Sequence, residues 1–190
     1  MVKDSVLLNE VAKGNMQSFR VLYNRFATRV YSTALNYSHN REDAEEIVQD
    51  IFAEVYRSAG KFHHQSQVGT WIYRFAVNKC IDFLRKKKTK KRFGFIIEST
   101  EKNTKPDFDH PGVLLQKKED AKLIFGAIDT LHETQKTAFI LSFIEELPRQ
   151  QVADTMGVTL KAVEALLQRA KKNLAKKLEY HYPHRKKKRK

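Results

Sequence analysis

The sequence predicts an all-α protein built of two small helical domains joined by a flexible linker. Three observations carry that expectation. Apolar residues recur at steps of three and four over most of residues 5–88 and again over 113–180, the spacing of a helix face and not the alternation of a strand. Seven Gly and four Pro occur, and all four Pro lie at or beyond Pro106, so the first stretch is almost unpunctuated. Composition then changes at Arg85, where "RKKKTKKR" puts seven positive charges between Arg85 and Arg92 and a stretch without period follows.

The first domain is expected over residues 1–88. Ser5 can cap a short helix ending near Gly14. Asn15 can cap a second, in which Phe19, Leu22, Tyr23, Phe26, Val30 and Tyr31 share one face. Asn40 followed by Asp43 resembles a capping box, with Asp in place of the usual Glu or Gln. Ile47, Val48, Ile51, Phe52, Val55 and Tyr56 then line a third helix. After a break at "AGKFHHQSQVG", Trp71, Ile72, Phe75, Ala76, Cys80, Phe83 and Leu84 mark a fourth. Four amphipathic helices with short connections imply a compact bundle.

Residues 89–112 read as a linker of 24 residues. Extended, it reaches about 80 Å; as a coil it spans ~27 Å. Its "FGFII" segment can dock as a short apolar anchor on either domain. The second domain is expected over 113–180. Leu114, Leu115, Ala121, Leu123, Ile124, Ala127, Ile128 and Leu131 give one helix, and Thr134 can cap the next. Pro148 suits the first turn of a helix that ends before Gly157. A last helix starts near Thr159 and runs towards Tyr180, leaving a basic tail at 181–190.

Gly157 interrupts an otherwise helical rhythm in "QQVADTMGVTLKAVEALLQRA". A helix-turn-helix explains the break. Val152, Ala153 and Met156 take the inward places before the turn, Gly157 supplies a left-handed backbone, and Val158, Val163 and Leu166 take the inward places after it. The second helix then protrudes and can enter a major groove. Its outward places are Thr159, Lys161, Ala162, Glu164, Ala165, Gln168 and Arg169, with Lys171 and Lys172 beyond. Thr159 can meet a phosphate, and Lys161, Gln168 and Arg169 carry donors for bases and phosphates. The competing reading of these residues alone is an ordinary helical hairpin with a Gly cap.

Charge points the same way. Lys and Arg number 36 against 22 Asp and Glu, a formal net charge of +14. Such a surplus predicts a polyanionic partner, nucleic acid before an anionic membrane surface. Cys80 is the one cysteine, so no disulfide forms within the chain, which suits a reducing cytoplasm. The opening stretch "MVKDSVLLNEVAKG" is too short in apolar residues for a signal peptide, and no run approaches the roughly 18 apolar residues of a membrane span. A cytoplasmic protein is expected. No P-loop, HExxH, GxSxG or paired CxxC occurs, so neither an enzyme nor a small-molecule substrate nor a cofactor is expected. His63 and His64 with Cys80 have neither the spacing nor the setting of a metal site.

Two motifs make the reading specific. "DAEEIVQD" at 43–50 and "TWIYRFAVNK" at 70–79, with the helix-turn-helix behind them, resemble the extracytoplasmic-function (ECF) group of bacterial RNA polymerase sigma factors. The first resembles that family's region 2.2, the second its regions 2.3 and 2.4, and "FRVLYNRFATRVYSTALNY" is similar to region 2.1. The resemblance covers nearly the whole chain apart from linker and tail. It implies a dissociable subunit that gives RNA polymerase core its promoter choice, with region 2 over 1–88 binding core and reading and melting the −10 element, and region 4 over 113–180 reading the −35 element.

Each role has residues that suit it. Asp43, Glu46, Gln49, Asp50 and Glu54 lie along the polar side of the third helix, opposite Ile47, Ile51 and Val55. An acidic stripe on a basic chain suits a protein partner, which the resemblance implies is the clamp helices of β′; the flap of β is the partner implied for region 4. Asn78, Lys79, Asp82, Arg85 and Lys86 on the fourth helix can face nucleic acid, and the loop before it, with His63, His64, Gln65 and Ser66, is where the family holds a flipped base. His and Gln can stack on or hydrogen-bond such a base. Many relatives read Gly-Thr-Val-Lys-Ser-Arg in the recognition helix where this chain has Lys161 to Leu166 as "KAVEAL", so the −35 preference does not transfer. Extended, the linker bridges about 20 base pairs. The free chain is expected to be a monomer, and the resemblance adds an anti-sigma factor to the expected partners. The alternatives are a free-standing helix-turn-helix regulator, which would bind duplex tightly without polymerase, and a nucleic-acid packer driven by the two basic runs. The acidic stripe favours a polymerase partner over both.

Overall fold

The computed structural model describes residues 2–63, 66–93 and 115–179, and every regular element among them is helical. The chain divides into two compact units, the first centred on the four helices before the linker and the second on the four after it.

In the first unit α1 spans Asp4–Ala12, α2 Met16–Ser38, α3 Arg41–Ser58 and α4 Val68–Phe93, with a 3-10 turn at Ala59–Lys61. Local chemistry sets most starts. Asn15 Oδ1 accepts the Ser18 amide at 3.0 Å, and Asn40 Oδ1 accepts the Asp43 amide at 2.8 Å, each satisfying a helix-start donor. The second box closes only halfway, because the Asp43 carboxylate is used elsewhere. Ser5 does not cap α1. The helix starts two residues earlier than a Ser5 cap would place it, after Lys3, and no side chain caps it.

The four helices pack as a bundle: α2 lies against α1, α3 and α4, and α3 against α4. Leu8, Leu22, Val30, Ile51, Val55, Ile72, Ala76 and Cys80 are fully buried at the centre. Full burial of one such aliphatic side chain contributes about 1.5–3 kcal/mol. Ile72 is in this core as the spacing predicts; Trp71 and Phe75 are half-buried and stack edge to face at 4.7 Å, with Phe62 5.5 Å from Trp71. A Cβ on Gly69 would lie 3.3 Å from the Phe26 ring, so glycine lets α4 begin close against α2.

α4 is longer than the spacing predicts. It continues through the basic run to Phe93, taking the first five residues assigned to the linker. Lys, Arg and Thr have no backbone reason to stop a helix. The rest of the linker, with most of "FGFII", lies outside the described residues, as does the tail.

In the second unit α5 spans Leu115–Asp129, α6 Glu133–Phe139, α7 Arg149–Met156 and α8 Leu160–Leu178. α6 and α5 both pack on α8, and Asn173 Nδ2 donates to Gln135 Oε1 at 3.0 Å. Ile128, Ile140, Leu141, Val152, Val163, Leu167 and Ala170 form the core. Three expectations shift here. α6 begins after His132, whose Nδ1 lies 3.1 Å from Thr134 Oγ1, so Thr134 sits inside the helix and does not cap it. Its end widens into a π-helical turn over Ile140–Ile144, with the Glu145 amide donating to the Ile140 carbonyl at 3.0 Å. Pro148 precedes α7 instead of opening it.

Candidate nucleic-acid and partner interfaces

Asp43, Glu46, Asp50 and Glu54 follow one another at steps of three and four along α3, so they form one line about 16 Å long. Glu46, Gln49 and Asp50 are exposed, while Asp43 and Glu54 are half-buried. Ile47, Ile51 and Val55, on the other side of the same helix, are buried. This is why the ridge stays polar: burial consumes the apolar positions and leaves the carboxylates outside. Glu54 accepts from Ser58 Oγ at 2.9 Å and from Arg57 at 3.0 Å. The Ser58 hydrogen bond first, then the charges of Arg57 and Lys79, hold its carboxyl below the usual glutamate range despite some desolvation.

On α4, Asn78, Asp82, Arg85 and Lys86 are exposed and Lys79 is half-buried. Arg85 lies 3.7 Å from Asp82, so part of its charge is offset within the helix. In the preceding loop His63 is exposed and Ser66 half-buried; His64 and Gln65 lie outside the described residues.

The two sets, separate in the sequence, meet in space. Asp43, Glu46, Ile47 and Asp50 of α3 and Lys79, Asp82, Phe83, Lys86 and Lys87 of α4 line one open groove of about 320 Å³. The α3 side is acidic, the α4 side is mainly basic with Asp82 among its lysines, and Ile47 and Phe83 add apolar lining. Lys87 crosses it: Nζ donates to Asp43 Oδ2 at 2.7 Å and stands 5.7 Å from the Phe83 ring centroid. Sequence reasoning missed Lys87, because nothing local distinguishes it from the other lysines of its run.

In the second unit Gly157 ends α7 with φ +66°, the left-handed conformation that glycine adopts at least cost. Thr159 Oγ1 then accepts the Ala162 amide at 3.2 Å and starts α8. Thr159, Lys161, Glu164, Gln168, Arg169, Lys171 and Lys172 are exposed on α8, and Ala162 and Ala165 are half-buried. The inward register differs by one place from the expected one. Leu167 is 2% exposed whereas Leu166 is half-buried, and Val158 is 39% exposed. Lys171 stands 4.6 Å from the Phe143 ring centroid, which ties one flank of α8 to the π-helical turn.

Residues 22–90 match the family model of Sigma-70 region 2, and residues 122–174 match Sigma-70, region 4. The chain is 27% identical over 181 residues to the ECF RNA polymerase sigma-E factor of Haemophilus influenzae, covering 93% of this chain and 95% of that one. It is 26% identical over 181 residues to that of Escherichia coli strain K12, covering 93% and 94%. Among solved structures it resembles CnrH in complex with the cytosolic domain of CnrY, with a TM-score of 0.68 and 20% identity over 93% of this chain and 97% of that one. It also resembles the sigma factor RpoE in complex with the anti-sigma factor NepR from Bartonella quintana, with a TM-score of 0.65 and 18% identity over 86% and 98%.

Proposed function

The chain belongs to the ECF group of sigma-70 factors, and from that premise we propose how its surfaces divide the work. A sigma factor binds RNA polymerase core and directs promoter-specific transcription initiation. In our reading Asp43, Glu46, Gln49, Asp50 and Glu54 meet the clamp helices of β′. Asn78, Lys79, Asp82, Arg85 and Lys86 of α4 face the −10 element, and the loop with His63, His64, Gln65 and Ser66 receives a base displaced as the duplex melts. α8 reads the −35 element through Thr159, Lys161, Ala162, Glu164, Ala165, Gln168, Arg169 and Lys172, while its domain contacts the flap of β. The work is binding and not catalysis, carried out in the cytoplasm by a chain that is monomeric when free. An anti-sigma factor belongs to the same reading, by likeness to the Bartonella protein.

One observation carries the assignment of the core interface. On a chain of net charge +14, a line of carboxylates shares the polar side of α3. A DNA phosphate would be repelled there, whereas a basic protein surface would be drawn to it and oriented by it. The test is direct titration of labelled chain into purified RNA polymerase core, followed by fluorescence anisotropy. Saturable one-to-one binding that weakens as salt rises is expected; affinity no greater than that of an unrelated basic protein would overturn it.

A further inference from the structure

The carboxylates of the ridge are not equally available in the free chain. We propose that Lys87 is a built-in competitor for the ridge: its ammonium occupies Asp43 until a cation of polymerase core displaces it. The inference rests on the reading of α3 as the core interface.

The contact is constructed, not incidental. Lys87 lies four residues after Phe83, so both side chains point along one side of α4 towards α3. The Phe83 ring stands 5.7 Å from Nζ, and the ammonium reaches Asp43 Oδ2 at 2.7 Å. Asp43 is held from its own side as well. Asn40 Oδ1 takes its amide at 2.8 Å and fixes the backbone. The carboxylate is not drawn back to the Asn40 amide, which instead meets Ser38 Oγ at 3.4 Å. It is therefore directed across the groove.

The pair is also exchangeable. Its side chains retain 38% and 24% exposure, and ion pairs that water can reach are weak. A core surface that offers several cations in fixed geometry can exceed that, so the contact lowers core affinity without abolishing it. The rest of the α4 wall, with the carboxylate of Asp82 beside Lys79 and Lys86, adds only diffuse screening to the ridge. Loss of either lysine would raise affinity slightly through charge alone, and that sets the control.

The experiment measures core affinity of full-length chains carrying Lys87→Met, Lys86→Met, Asp43→Asn and the Lys87→Met/Asp43→Asn pair, with thermal melts confirming that each folds. Lys87→Met is expected to tighten core binding about two- to fivefold, more than Lys86→Met, and the gain should vanish in the Asp43→Asn background. If Lys87→Met matches Lys86→Met, or weakens binding, or if its gain survives without the Asp43 carboxylate, the competitor role is wrong while the interface stands. If Asp43→Asn leaves core affinity unchanged, the interface itself is misplaced and the competitor role falls with it.

Discussion

Thr159 accepts the Ala162 amide through Oγ1 at 3.2 Å, two residues after Gly157 turns the backbone to φ +66°. These two positions place the start of α8. Removing the cap by Thr159→Ala is expected to lower stability by about 1 kcal/mol. A methyl at Gly157 meets nothing within 4 Å, so Gly157→Ala should cost about 1 kcal/mol from the backbone alone. Gly157→Asn, which tolerates the left-handed region, should cost less. Urea unfolding of the three variants checks the order.

Lys136 is 6% exposed, and its ammonium donates to Asp129 Oδ1 at 2.7 Å. Asp129→Ala removes an acceptor from a buried cation and should destabilise the chain by about 1–3 kcal/mol. Lys136→Met removes the charge itself and should cost less. The reverse order in chemical denaturation would show that burial of Lys136 is not what makes Asp129 matter.

Asp50 is exposed at the middle of the ridge, so reversing its charge leaves the core of the bundle untouched. Asp50→Arg should weaken polymerase-core association about tenfold or more, with far-ultraviolet circular dichroism and melting unchanged. Undiminished core binding in the same titration would place the interface elsewhere.

Arg169 is exposed on α8, away from the buried line of Val163, Leu167, Ala170 and Leu174. Arg169→Ala should reduce holoenzyme affinity for −35 DNA by about 1–3 kcal/mol if it reads a base, or lower the salt slope by about 1 if it holds a phosphate. Core association should not change. A gel-shift series over salt separates these outcomes.

Much of this architecture is legible in the chain because local chemistry decides it. Asn15, Asn40 and Thr159 cap helices as their types and spacings suggest, and Gly157 takes the one conformation that explains its place. What stays hidden depends on neighbours distant in sequence. The inward choice of Leu167 over Leu166 is made by what packs on α8, since both are leucines at adjacent steps. The widened end of α6 leaves no mark in "ILSFI". The pairing of Lys87 with Asp43 spans 44 residues and needs two helices side by side. For the same reason the acidic and basic surfaces, distinct along the sequence, share a groove in the fold.

Transcription by purified core supplied with this chain, on a library of randomised promoters with every start site sequenced, addresses the division of labour most directly. Initiation is expected only when the chain is present, from templates that share two short upstream motifs at a fixed spacing. Starts no more frequent than with core alone, or scattered over templates with no common upstream sequence, would contradict it.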